Sequence, residues 1–444
     1  MAETTPIPLD AVIYERFKEF GAMQAYEYLD GDKTVREAQK KSFLSGEIEN
    51  PKLDYPKIDI SLLESRENQL LELKSDILKD EPNETVKQVY RWKINEKIAE
   101  IRMLQASESG DMRKFKKYSE FVYGKPSEDI FGYTVNSIRS EATLNLASDD
   151  ETIQAAAREL LELLPSELPH HEISLIPNDE AIASMRQATL ESAGDLIELP
   201  EGTTFDASSI KTTFDSALET LKADGWQVVI DTSSKSGISV DQEKQHVKIP
   251  EGRTLTPNKL QTLIVHEIGT HVKRRVTGER SKLKLLGLGL DRYESGEEGV
   301  ATAREQAMSG KVDDFAGLDG HLAIGLAYGL DGKPRDFREV YEVLKKYYKL
   351  TSLVGKEAKE TIEDKSSDKA WNRCVRTFRG SDSKTKGACF TKDIVYREGN
   401  IGTWNVVRDN PQEMARFDVG KYDPSNPRHI WILETLGIED AEIV

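Results

Sequence analysis

The chain of 444 residues carries 61 Lys+Arg against 78 Asp+Glu, a formal charge of −17, and its 38% hydrophobic share can still build a core under a heavily charged surface. That acidic balance argues against broad binding to nucleic acid or anionic membranes, and two cysteines, Cys374 and Cys389, exclude a disulfide-stapled scaffold and most cysteine metal sites. At this length one large elaborated domain, or two, is expected.

The opening, MAETTPIPLD, has no basic stretch followed by an apolar one, so no signal peptide is expected. HLAIGLAYGL (321–330), the longest apolar stretch, is far short of a membrane span. The expectation is a soluble, cytoplasmic protein with reduced thiols.

The first third reads as helical. LLESRENQLLELKSDILKD (62–80) places Leu63, Leu70, Leu73 and Ile77 near one face, and VKQVYRWKINEKIAEIRMLQ (86–105) repeats the habit with Val89, Trp92, Ile98 and Ile101. Breaks at Pro51, Pro56, Pro82 and Pro126 separate the helical pieces, and no strict heptad survives across them. Residues 1–150 are expected to form a helical region packed on a larger domain over 151–444.

Two segments beyond that point read as strands: WQVVIDT (226–232), and SGISVDQEKQHVKIP (236–250) as a hairpin turning near Asp241–Lys244. Gln245–Ile249 could then offer a strand edge to an extended peptide. A helix follows in LTPNKLQTLIVHEIGTHVKRR, with Thr256 at the N-cap, Pro257 at N1, and an apolar face of Leu260, Leu263, Ile264 and Ile268. Lys273, Arg274 and Arg275 complement the negative end of its dipole, with Gly278 just beyond. With Arg280, Lys282 and Lys284 they form a basic run, read as a solvated helix end or as a patch steering an acidic peptide inward. Further on, KAWNRCVRTFRGSDSKTKGACF (369–390) holds a polar loop of the kind that borders clefts.

Chemistry concentrates in that helix. His266, Glu267 and His271 stand as H-E-I-G-T-H, which resembles the zincin signature of two zinc-binding histidines with a glutamate as general base. One residue more than usual separates the Glu from the second His. On an ideal helix the usual i,i+4 pair lies about 40° apart, whereas i,i+5 gives about 140°. A π-bulge would restore a shared face, and Gly269 marks where the backbone yields most easily. A catalytic zinc needs a third protein ligand, and the DRYESGEEGVATAREQAM segment (291–308) offers Glu297 or Glu298. Small residues at Gly299, Ala301 and Ala303 would let this second helix approach the first.

H-E-I-G-T-H followed by E-E-G-V-A resembles a metallopeptidase family that includes the microtubule-associated tyrosine carboxypeptidases and bacterial relatives named for a Q/E-E-G-L-A motif. FLSGEIENPKLDYP (43–56), YGKPSED (123–129) and ACFTKDIVYREG (388–399) also look like segments of that family, so the resemblance covers about residues 40 to 440. It implies an α+β fold with a zincin-like core, a small twisted sheet plus an active-site helix. It also implies one zinc ion on His266, His271 and Glu298, with Glu267 as base. Val300 stands where the motif has Leu. The implied activity is removal of a C-terminal residue, tyrosine in the tubulin-directed members.

Such a reaction asks for further groups. Tyr396, with His321 behind it, is the candidate donor to the tetrahedral oxyanion. Arg376, Arg379, Lys392 and Arg397 are candidates to hold the substrate's terminal carboxylate. A peptide or protein C-terminus is the expected partner, with neither nucleic acid nor membrane. A zinc endopeptidase would instead need an open-ended groove, and a zinc-binding regulatory module would have no use for Glu267.

Overall fold

The computed structural model describes residues 8–171, 176–197, 199, 201–232 and 237–439. It is mostly helical, with one small sheet, an α+β arrangement. Among the described residues no helix is long and apolar enough to cross a membrane.

The helical first third follows its apolar spacing. Ile60–Asp80 buries Leu63, Leu70, Leu73 and Ile77, and its N-cap Asp59 accepts from the Ser61 and Leu62 N–H groups. The long helix Glu84–Ser109 starts on an Asn83 cap and ends at Gly110, whose φ of 70° the glycine tolerates without a Cβ clash. Besides its apolar face it buries Lys93, Glu96, Lys97 and Glu100, a row no hydrophobic pattern would single out. The early helices do not form a core of their own. Phe17, Tyr90 and Phe115 share one with Leu286, Phe390 and Leu433, while Phe43 and Phe131 share another with Phe337 and Trp371.

The sheet has three strands: β1 (Gln227–Asp231), β2 (Ser239–Asp241) and β3 (His246–Pro250). β2 and β3 form the expected antiparallel hairpin, and β1 joins β3 in parallel, giving the order β1-β3-β2. The free edge expected of Gln245–Ile249 is therefore absent, because β3 is paired on both sides. β2 is the edge nearer the site.

The site helix runs as three continuous pieces: Pro257–Leu263, a π-helical stretch Ile264–Val272, and Lys273–Arg280. Thr256 has the extended backbone of an N-cap but makes no side-chain cap bond. Leu260, Ile264, Ile268, Val272 and Val276 share a buried cluster with Val228, Val247 and Ile249 of the sheet and Phe214 of the helix Ala207–Thr220. Fully burying each such side chain is worth about 1.5–3 kcal/mol, so this face fixes how the helix lies on the sheet. Gly278 does not end the helix. It lies within it, where a Cβ would strike the Leu286–Gly287 backbone.

The second helix of the site, Glu294–Ser309, begins as expected near the EE pair. Gly299 serves a different neighbour from the one its position suggested. A Cβ there would collide with the Gly399 carbonyl on the helix Ile394–Asp409.

Candidate active site

The π-helical stretch brings the two histidines together. The Lys273 N–H reaches the Ile268 carbonyl five residues back, and the added residue in the turn carries His271 round toward His266. Their ring centroids lie 5.0 Å apart. A π-turn strains the backbone hydrogen bonding, and the fold answers from Glu294–Ser309. Arg304 Nη1 donates to the Gly269 carbonyl at 2.9 Å, and its Nη2 pairs with Asp418 at 2.9 Å. Gly269 itself packs against Ala193, whose methyl a Cβ there would meet at 3.1 Å.

Ligating atoms of His266, His271 and Glu298 lie within 4.8 Å of one another. The donor set, two imidazoles and one carboxylate, is that of a known class of catalytic zinc site. Each histidine also has a carboxylate at its Nδ1, which leaves Nε2 for a metal. His271 Nδ1 is 3.0 Å from Glu297 Oε1, and His266 Nδ1 is 3.2 Å from Glu305 Oε2, the latter at ion-pair distance without hydrogen-bond alignment.

The electrostatics also suit a cation. Burial would lower the His266 pKa, but Glu305, Glu267 and Glu298 outweigh it and push it up to about 9. The cluster thus seeks positive charge. Burial raises the Glu267 carboxyl, against the pull of His266 and His271. Glu297 is buried too, yet Lys421 at 3.3 Å and Arg274 at 2.7 Å hold it ionised, well below the usual carboxylate range. Glu297 is thus engaged by His271 Nδ1, Arg274 and Lys421, while a carboxylate oxygen of Glu298 lies with the two imidazoles.

These residues line a cleft of about 410 Å³, together with Tyr396, Arg376, Arg379 and Lys392 from the C-terminal segment and Ser239 and Val240 from β2. Within it Arg376 is already committed, its Nε and Nη2 gripping Asp393 at 2.7 and 2.8 Å. Lys392 makes no ion pair among the described residues, and the buried Arg379 Nε has no hydrogen-bond partner. The charge of Glu298, with burial, raises the Tyr396 phenol pKa.

Two expected residues are elsewhere. Arg397 is fully buried against Asp314 and the Phe315 carbonyl, because a step of about 100° along its helix turns it away from the face that Tyr396 shares with the cleft. His321 is buried with Nε2 3.0 Å from Glu398 and does not line the cleft. The first part of the basic run is not a solvated end, since Arg274 and Arg275 are buried. Lys273 binds Asp418, Arg274 is wholly buried on Glu297 and the Gly420 and Tyr422 carbonyls, and Arg275 binds Glu279. Arg280, Lys282 and Lys284 are likewise engaged, with the Lys222 carbonyl, the Gly437 carbonyl and Glu15.

The family profile described as microtubule-associated tyrosine carboxypeptidase matches residues 41–163, 165–347 and 358–439. The chain belongs to that family. No curated protein matches it in a direct sequence comparison. The matched segments include His266, Glu267, His271, Glu298 and Tyr396, and the family implies a carboxypeptidase-type peptidase. Residues before 41 fall outside the match, although Gln24 and Tyr26 also line the cleft.

Proposed function

We propose that this chain is a zinc-dependent carboxypeptidase with a zincin-like centre, cutting one residue from the C-terminus of a peptide or protein. The carrying observation is the meeting of His266, His271 and Glu298 beside the buried Glu267, in a cleft with two uncommitted cations. His266, His271 and Glu298 would hold one zinc ion, which when bound supplies Lewis acidity and a water acidified to a pKa of about 7.

Glu267 accepts the proton of the attacking water and returns it to the leaving nitrogen, a role suited to a carboxyl whose pKa burial raises. The Tyr396 hydroxyl donates to the oxygen that gains charge as the carbonyl becomes tetrahedral. Lys392 and Arg379 take the substrate's terminal carboxylate, since Arg376 is held by Asp393. The edge of β2 gives the preceding residues an extended backbone to pair with. The family's description names tyrosine and microtubules, which makes a tyrosine-ended tubulin tail the first substrate to try.

The test is a digest of paired peptides with free and amidated C-termini. Release of one residue from free acids, and none from amides, supports the reading. Equal cleavage of both would make the chain an endopeptidase, and no cleavage of either would reduce it to a binding module.

A further inference from the structure

One wall of the cleft comes from a short N-terminal segment outside the family match. Gln24 and Tyr26 line the cleft from a turn, Ala25–Leu29, that the long helix Glu84–Ser109 holds from beneath. Lys97 Nζ donates to the Met23 carbonyl at 2.6 Å, the Ala25 N–H donates to Glu100 Oε2 at 2.9 Å, and Lys97 and Glu100 pair at 2.7 Å. Both side chains are buried, so breaking these contacts would strand a charge. The buried ionic row of the long helix therefore fixes a backbone segment at the rim of the cleft.

The segment also spans two other walls. Lys392 Nζ sits 4.8 Å from the Tyr26 ring centroid, a cation–π distance. Toward the β2–β3 turn, burial, Asp241 and Glu243 push the Glu27 carboxyl up to about 7. A substrate carboxylate held by Lys392 would bring the neighbouring side chain beside Tyr26, in a cleft that Phe390 and Gln24 also line.

We propose that Gln24 and Tyr26 form the surface on which the substrate's terminal side chain rests, and so determine which C-terminal residue is removed. This rests on the carboxypeptidase reading above. The surface is aromatic with an amide at its side. It therefore suits a large neutral terminal side chain.

The test compares kcat/KM on one peptide series ending in Tyr, Leu, Ala or Glu, as free acids. Wild-type protein is set beside Tyr26→Ala, Tyr26→Phe and Glu100→Gln, with melting curves to show that each variant is folded. Tyr26→Ala should lower the Tyr-to-Ala preference at least tenfold, chiefly through KM, while Tyr26→Phe keeps it. Glu100→Gln, which touches no substrate, should shift the preference in the same direction by loosening the segment. An unchanged preference ratio in Tyr26→Ala and Glu100→Gln would overturn the proposal while leaving the carboxypeptidase reading intact. Failure of the wild type to cleave any peptide would remove that reading and the proposal with it.

Discussion

His271 Nδ1 lies 3.0 Å from Glu297 Oε1, and Glu297 is the residue immediately before the glutamate that completes the ligand group. The two adjacent carboxylates thus divide the work. In the proposed site Glu298 would bind the metal, and Glu297 would orient the histidine from behind while Arg274 and Lys421 neutralise it.

Removing each should have a different signature. Glu298→Ala deletes one of three protein ligands and should cut zinc affinity by far more than 100-fold. Glu297→Gln should weaken it by the 10–100-fold typical of an outer hydrogen-bond partner. Glu297→Ala adds a folding penalty, because Arg274 and Lys421 are left buried without their anion, at a cost of about 3–5 kcal/mol. Zinc titration by competition with a chelator, beside melting curves, separates the two effects.

Arg304 should prove to be the support of the π-helical turn. Arg304→Met removes the donor to the Gly269 carbonyl and leaves Asp418 with Lys273 and Ser192. Loss of a buried charged partner costs about 3–5 kcal/mol, visible as a lower denaturant midpoint. A variant as stable as wild type would show that the turn needs no such support.

Much of this was legible in the sequence because it is local. The extra residue in H-E-I-G-T-H demands a widened turn, and Ile264–Val272 supplies one. The apolar spacing of 62–80 gives the buried face residue for residue. Glu305 was missed although a signal existed, for it lies seven positions after Glu298, two turns on and on the same helical face. Lys421, Gln24 and Tyr26 carry no local signal at all, since only long-range packing brings them to the cleft. Arg397 misled for the converse reason: it neighbours Tyr396 in sequence and points the other way.

The candidate cations should separate by function. Lys392→Met and Arg379→Met should each reduce the preference for free-acid over amidated peptides, with on the order of 2–5 kcal/mol at stake for a desolvated carboxylate. Arg397→Met should leave that preference unchanged and lower stability instead, because it strips a buried partner from Asp314. Preference ratios measured for the three variants decide the assignment.

Stability should fall in acid through paired, buried carboxylates outside the ligand group. Burial alone would raise Asp393, but Arg376 and Arg373 outweigh it and hold the carboxyl well below its usual range. A lowered folded value means that the contribution is complete above the unfolded value of about 3.9 and is lost as pH drops below it. Asp393→Asn should therefore be clearly less stable than wild type at pH 7, with the gap narrowing below pH 4. A gap independent of pH would show that charge at Asp393 contributes nothing.

The most direct measurement is native mass spectrometry and turnover on the same preparation of Glu267→Gln. The substitution keeps the shape of the side chain but removes the proton acceptor, and Glu267 is not among the ligands. One zinc per chain should be retained as in wild type, while release of the C-terminal residue falls by at least 100-fold. Hydrolysis near the wild-type rate in that zinc-loaded variant, or a wild-type protein that takes up no zinc, would contradict the account.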